Sequence, residues 1–152
     1  TPTLGGMQLI KNMLELFLIK LMRRETEGSG DTTTFIFEKN YREFVVKKII
    51  EILNENVYDI ISIDDICAKL NYNKSYLFRQ FKKSTNSSIM NYFTALKIQK
   101  AKQILRESDL TIKEISIKLK FDTPNYFSKC FKKHTGYTPL QYKKLPSKFN
   151  ES

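Results

Sequence analysis

Arg79, Lys82 and Lys83 follow Ser75 and Phe78 in one stretch of the chain, and Lys129, Lys132 and Lys133 follow Asn125 and Ser128 in another about fifty residues on. Cations at helical spacing, with hydroxyl and amide groups among them, suit hydrogen bonding to a polyanion rather than the making or breaking of bonds. The surrounding residues repeat as well. Ile63, Ile66 and Leu70 pair with Ile112, Ile115 and Leu119 at an offset of 49, whereas Phe81, Lys82, Lys83 and Tyr92 pair with Phe131, Lys132, Lys133 and Tyr142 at 50. One residue has therefore been added in the second turn, and each unit reads as a helix-turn-helix.

In such a unit the first helix braces the second, which needs an apolar underside and a polar outer face. Leu77 and Phe81 are spaced i, i+4 and face inward, as do Phe127 and Phe131. That leaves Ser75, Phe78, Arg79, Lys82 and Lys83 outward in the first unit, and Asn125, Ser128, Lys129, Lys132 and Lys133 in the second. The plainer reading, the wet sides of two amphipathic helices, explains each helix alone but not the repetition with one sign of charge. Ser62 with Asp65, and Thr111 with Glu114, form capping-box patterns that open the two bracing helices. Cys67 and Ser116 occupy the small positions where the helices touch, so Cys67 is read as packing. The turns begin at Asn71 and Lys120, where a left-handed residue is expected. Asn tolerates that conformation, while Lys costs on the order of 1–2 kcal/mol. Asn73 is the expected cap of the first outer helix, and Asp122 or Thr123, ahead of Pro124, that of the second.

Between the repeats, Ser88 to Glu107 reads as one long helix with Ile89, Phe93, Leu96, Ala101, Ile104 and Leu105 buried. About 20 residues at 1.5 Å each span roughly 30 Å, close to the ~34 Å between successive major-groove faces of a duplex.

The 152 residues, 41% of them apolar, suffice for one compact helical domain plus something smaller. Residues 41–145 hold 20 basic and 10 acidic residues, so the whole net charge of +10 lies on the repeated region. Such a field favours nucleic acid or an anionic membrane surface. Cys67, Cys130 and the single histidine, His134, lack metal-ligand spacing, so neither a metal nor a cofactor is expected. Two thiols without a signal peptide fit the cytoplasm. With no paired nucleophile and base and no phosphate-cradling glycine loop, an enzyme is the least favoured class.

Residues 1–24 read as an apolar helix. Met7, Ile10, Leu14, Phe17 and Leu21 recur at alternating steps of three and four, and Met13, Leu16, Leu18, Ile19 and Met22 widen the stripe. Glu15 and Lys20 interrupt the Met13–Met22 stretch, which is too short to span a bilayer. A homodimer contact is one reading of this helix; docking on the following domain, or on a segment outside this chain, is the other. Residues 25–40 have a linker's composition, with Phe35 and Phe37 able to pin part of it down. A helix is expected from Tyr41 to Asn56, and residues 146–152 form a tail. No strand pattern of convincing length is present, so the class is all-α: two helix-turn-helix subdomains joined by a long helix. A chain that starts at Thr1 reads as a fragment.

With these motifs in place, residues 41–145 resemble the double helix-turn-helix domain of AraC/XylS-family bacterial transcription regulators. The most specific stretch runs from Asp109-Leu110-Thr111-Ile112 through Pro124-Asn125-Tyr126-Phe127-Ser128-Lys129 to Gly136-Tyr137-Thr138-Pro139-Leu140-Gln141-Tyr142. Ser75-Tyr76-Leu77, Arg79, Phe81-Lys82-Lys83, Leu96, Lys97, Lys100 and Ala101 agree in the first half. The resemblance implies base contacts from Ser75, Phe78, Arg79, Asn125, Tyr126, Ser128 and Lys129. It implies backbone contacts from Asn73, Lys74, Lys82, Lys83, Thr123, Lys132 and Lys133. Arg79 is then the guanine reader, Asn125 an adenine reader and Phe78 a partner for a thymine methyl. Tyr126 has a second reading as a core residue, next to the inward Phe127. The sequence departs from the family at Asn71, Asn86 and Lys120, where glycine is usual. Residues 7–24 resemble the dimerisation helix that in many members follows a cupin-like effector-binding barrel, which this sequence does not contain.

The expected function is thus a sequence-specific regulator on double-stranded DNA, with a homodimer through the first helix and, for an activator, RNA polymerase as further partners. A basic protein that coats nucleic acid without reading it is the alternative, and a helical adaptor or membrane-surface module a third.

Overall fold

The computed structural model describes residues 11–18 and 31–146, and every ordered element among them is helical. Helix α1 covers residues 11–18. Seven more follow: α2 (Asp31–Glu55), α3 (Ile63–Leu70), α4 (Lys74–Thr85), α5 (Ile89–Glu107), α6 (Ile112–Lys118), α7 (Pro124–Thr135) and α8 (Pro139–Lys143).

Two separate cores share α5 as their spine. Val45, Ile49 and Leu53 of α2, Ile66 of α3, and Leu77 and Phe81 of α4 close over Ile89 and Phe93 at one end of α5. Ile115 of α6, Leu119, Phe127 and Phe131 of α7, and Tyr142 of α8 close over Ile98, Ala101 and Leu105 at the other. The inward assignment of Leu77, Phe81, Phe127 and Phe131 holds, since all are fully buried. Each such side chain contributes about 1.5–3 kcal/mol of hydrophobic stabilisation.

The repetition in sequence is repetition in geometry. Phe81 meets Tyr92 edge-on at 5.4 Å between ring centroids, and Phe131 meets Tyr142 edge-on at 5.4 Å. Thr85 Oγ1 donates to the Phe81 carbonyl at 2.9 Å, and Thr135 Oγ1 to the Phe131 carbonyl at 2.8 Å. Both capping boxes form, Ser62 with Asp65 and Thr111 with Glu114. The Ser62 and Thr111 hydrogen bonds hold those two carboxyls below the usual carboxylate range.

Asn71, Asn86 and Lys120, the three positions at which the family usually carries glycine, are the three non-glycine residues with positive φ among those described, at 57°, 57° and 56°. Gly136 takes the position equivalent to Asn86, at φ 80°. The second turn is also the longer one: Asn71 and Tyr72 separate α3 from the cap Asn73, whereas Lys120, Phe121 and Asp122 separate Leu119 from the cap Thr123.

The expectation of no helical structure across residues 25–40 is corrected for 31–40, which form the first part of α2. Periodicity could not show this, because Phe35 and Ile36 are exposed and pack into no core. Once the packed Tyr41–Glu55 portion is helical, each preceding residue adds a hydrogen bond without a new nucleus. No glycine or proline interrupts Asp31–Glu55, and three threonines disfavour helix only weakly. Nothing described shows Phe35 pinning this segment to the rest of the chain, and the side chain of Phe37 lies outside the described residues.

Ser116 fills the small position where α6 meets its neighbours, fully buried, and its hydroxyl has no hydrogen-bond partner. An unsatisfied buried hydroxyl costs free energy that a methyl group does not. Ser116→Ala should therefore raise stability by about 1 kcal/mol, read as a higher urea midpoint at unchanged slope.

Candidate nucleic-acid interface

Helices α4 and α7 present the candidate surface, the first capped by the expected Asn73 and the second by one of its two candidates. Asn73 Oδ1 accepts from the Tyr76 N–H at 2.8 Å, and Thr123 Oγ1 accepts from the Tyr126 N–H at 3.0 Å. Thr123, not Asp122, is therefore the second cap. Capping uses the oxygen of each side chain as an acceptor, which leaves the Asn73 amide N–H groups and the Thr123 hydroxyl proton available to an anion.

Ser75, Phe78, Arg79, Lys82 and Lys83 are all exposed on α4, and Asn125, Tyr126, Lys129, Lys132 and Lys133 on α7. Ser128 is half-buried, so it reaches solvent less than its neighbours do. Phe78 keeps 42% of its surface in water, a costly placement for an apolar ring unless something else covers it. Tyr126 is 50% exposed with its ring 6.2 Å from that of Phe121, so the core reading of this residue does not hold.

The cations differ in what holds them. Lys74 pairs with Asp64 at 3.1 Å, and Lys82 Nζ donates to the Asn86 carbonyl at 3.1 Å. Exposed pairs of this kind are worth about 0–1 kcal/mol and yield readily to a phosphate. Among the described residues, no carboxylate lies in ion-pair range of Arg79, Lys83, Lys129, Lys132 or Lys133. Neither α4 nor α7 has an acidic residue in its first turn, so the N-terminal end of each dipole is left for an outside anion.

Several residues that steer this surface were not singled out by spacing. The Arg79 guanidinium lies 6.0 Å from the ring of Tyr76, which stacks on Tyr72 at 4.9 Å. Tyr72 in turn shares a hydroxyl–hydroxyl hydrogen bond with Tyr41 of α2. Burial raises the phenols of Tyr72 and Tyr76 above their ordinary values. Arg42 Nε donates to Gln80 Oε1 at 3.1 Å, a second strut between α2 and α4.

Lys97 of α5, which the resemblance matched without giving it a role, is only 6% exposed where the two cores meet. Its signal in the sequence is a lysine in the buried stripe, four residues after Phe93 and four before Ala101. Burial lowers the pKa of its ammonium, opposed by the carboxylates of Asp59 and Asp122.

Of the apolar residues expected at a dimer contact, Leu14 and Phe17 are exposed on α1, at 58% and 59%. Met7, Ile10 and Leu21 lie outside the described residues.

Comparison with known proteins places the whole arrangement. A helix-turn-helix domain family model of the AraC type matches residues 66–145, more than half of the chain. The chain belongs to the AraC-type helix-turn-helix family. It is 32% identical over 144 residues to the helix-turn-helix-type transcriptional activator RhaR of Salmonella dublin, covering 93% of this chain and 49% of that protein. It is 35% identical over 100 residues to an uncharacterised helix-turn-helix-type transcriptional regulator of Pseudoalteromonas carrageenovora, covering 66% of this chain and 59% of that one. Among solved structures it resembles the C-terminal domain of the two-component response regulator yesN of Fusobacterium nucleatum at 30% identity and a TM-score of 0.61, covering 69% of this chain and 99% of that domain. The chain thus spans between about half and three fifths of the length of these two curated relatives.

Proposed function

We propose that this chain is the DNA-reading part of a sequence-specific transcription regulator, and that α4 and α7 enter two successive major-groove segments of one duplex. The observation that carries the reading is the duplicated outer face: two capped helices of matching geometry, basic and free of acidic residues, at the two ends of one α5 spine. Nineteen residues of α5 extend about 28 Å, near the ~34 Å repeat of major-groove faces.

Within this reading Ser75, Phe78, Arg79, Asn125, Tyr126, Ser128 and Lys129 meet base edges. Asn73, Lys74, Lys82, Lys83, Thr123, Lys132 and Lys133 hold the phosphates. Exposed Leu14 and Phe17 support pairing of α1 with a second copy. The relatives are transcription regulators by name, one of them an activator, which supports a regulatory role; activation would add RNA polymerase as a partner. A DNA reader of this type works in the cytoplasm, and no described helix is long and apolar enough to cross a membrane.

Phosphate neutralisation releases counterions, so five lysines on the backbone should make log K fall against log salt with a slope of about −4 to −5. Lys133→Ala should reduce that slope by about one unit and weaken all duplexes alike. Titrating a labelled duplex at several salt concentrations checks this. An unchanged slope would remove Lys133 from the phosphate set, and a flat profile for the parent protein would count against DNA as the ligand.

A further inference from the structure

Lys97 sits midway along α5, between Phe93 in one core and Ile98 in the other. Its Nζ donates to the Asp59 carbonyl at 3.0 Å and to the Leu119 carbonyl at 2.7 Å. Asp59 belongs to the loop between α2 and α3, in the first half of the molecule, and Leu119 caps α6 in the second. One ammonium therefore bridges the two halves. The same nitrogen lies 4.7 Å from the ring centroid of Phe93 and 5.8 Å from that of Phe121, so aromatic faces from both sides enclose the charge. A neighbouring contact joins the same two segments, with Lys118 Nζ 5.7 Å from the ring centroid of Tyr58.

The acceptors are significant. The Leu119 carbonyl is one of those a helix leaves unpaired at its C-terminal end, and it precedes Lys120, whose φ of 56° is strained for a lysine. Holding that carbonyl fixes the turn that aims α7. Asp59 lies in the irregular segment that aims α3, and through it α4. Removing the ammonium would leave both carbonyls without this partner and would remove the bond that sets one turn against the other.

We infer that Lys97 is a positioning residue that locks the separation and angle of the two recognition helices, so that the protein accepts two half-sites at one spacing only. This rests on the two-groove reading above. Rigid linkage of two binding elements raises their effective concentration at the matching geometry and lowers it elsewhere. Each base pair added between half-sites turns one by about 35° relative to the other, so a locked pair cannot follow.

The test compares the parent protein with Lys97→Met on duplexes whose half-sites are separated by the selected spacing or by two further base pairs. Residual dipolar couplings of both proteins free in solution accompany it. The parent should lose at least about tenfold in affinity on the longer spacer, and the variant less than about threefold, while a single half-site binds both equally. One alignment tensor should fit both halves of the parent, and two should be needed for the variant. A folded Lys97→Met that keeps the parent's spacing loss and single tensor overturns the inference. Should that variant not fold, the parent alone decides: tolerance of the added base pairs, or separate tensors for its halves, overturns the inference, and their opposites uphold it. If no duplex is bound selectively, the regulatory reading fails, and the couplings still decide whether Lys97 locks the halves.

Discussion

Replacing Phe131 by alanine should cost about 3–5 kcal/mol and unfold the second half of the domain while leaving the first half folded. Phe131 is fully buried, packs edge-on against Tyr142 at 5.4 Å and lies 5.8 Å from Phe127. Its ring holds α7 and α8 to α5, so its loss opens a cavity that a short helix such as α8 cannot refill. The second core is small, and a unit of that size has little stability to spare. The first core is made of other residues, from Val45 to Phe93, and meets the second through α5 and the contacts around Lys97 and Tyr58, none of which involves Phe131. Backbone amide spectra should therefore show α3 and α4 unchanged and α6 and α7 collapsed. Phe81→Ala should produce the converse pattern. A loss below about 1 kcal/mol, or uniform unfolding of both halves, would mean that the two cores do not act as separate units.

The second large effect concerns recognition. Arg79→Ala should cost about 1–3 kcal/mol on the preferred duplex and relax selectivity at a single base position, leaving the rest of the motif intact. Arg79 stands on the second turn of α4, exposed, and its guanidinium is aimed by a chain of tyrosines from Tyr76 through Tyr72 to Tyr41. Guanidinium presents two parallel donors, the geometry that a guanine edge accepts, whereas Lys133 offers a point charge suited to phosphate. The contrast between the two variants checks the assignment. Competition binding against a panel of single-base changes should show one altered column for Arg79→Ala and none for Lys133→Ala. Equal weakening on every duplex by Arg79→Ala would move that residue to the phosphate set.

What could be read from the sequence was local. The caps Ser62, Asn73 and Thr111, the left-handed Asn71 and Lys120, and the inward Leu77, Phe81, Phe127 and Phe131 all depend on residues a few positions apart. Each stands in the structure as expected. What escaped was set by distant partners or by none. Lys97 finds its acceptors 38 and 22 residues away, and Tyr41 meets Tyr72 across 31. No periodicity encodes such meetings. The first ten residues of α2 escaped for the opposite reason: Phe35 and Ile36 are exposed and pack into no core, so burial left no pattern to find there. Ser128 lies where α7 turns from its wet face toward its core, and a helical wheel places such a boundary residue on either side with equal ease.

Selecting bound duplexes from a random pool tests the central claim most directly, because it asks in one step whether two similar helices on one spine read two pieces of DNA. The selected sequences should converge on a divided motif whose halves are centred about 10 base pairs apart, one helical turn. A pool that emerges without enrichment, or that converges on one undivided motif indifferent to what lies a turn away, would contradict the account.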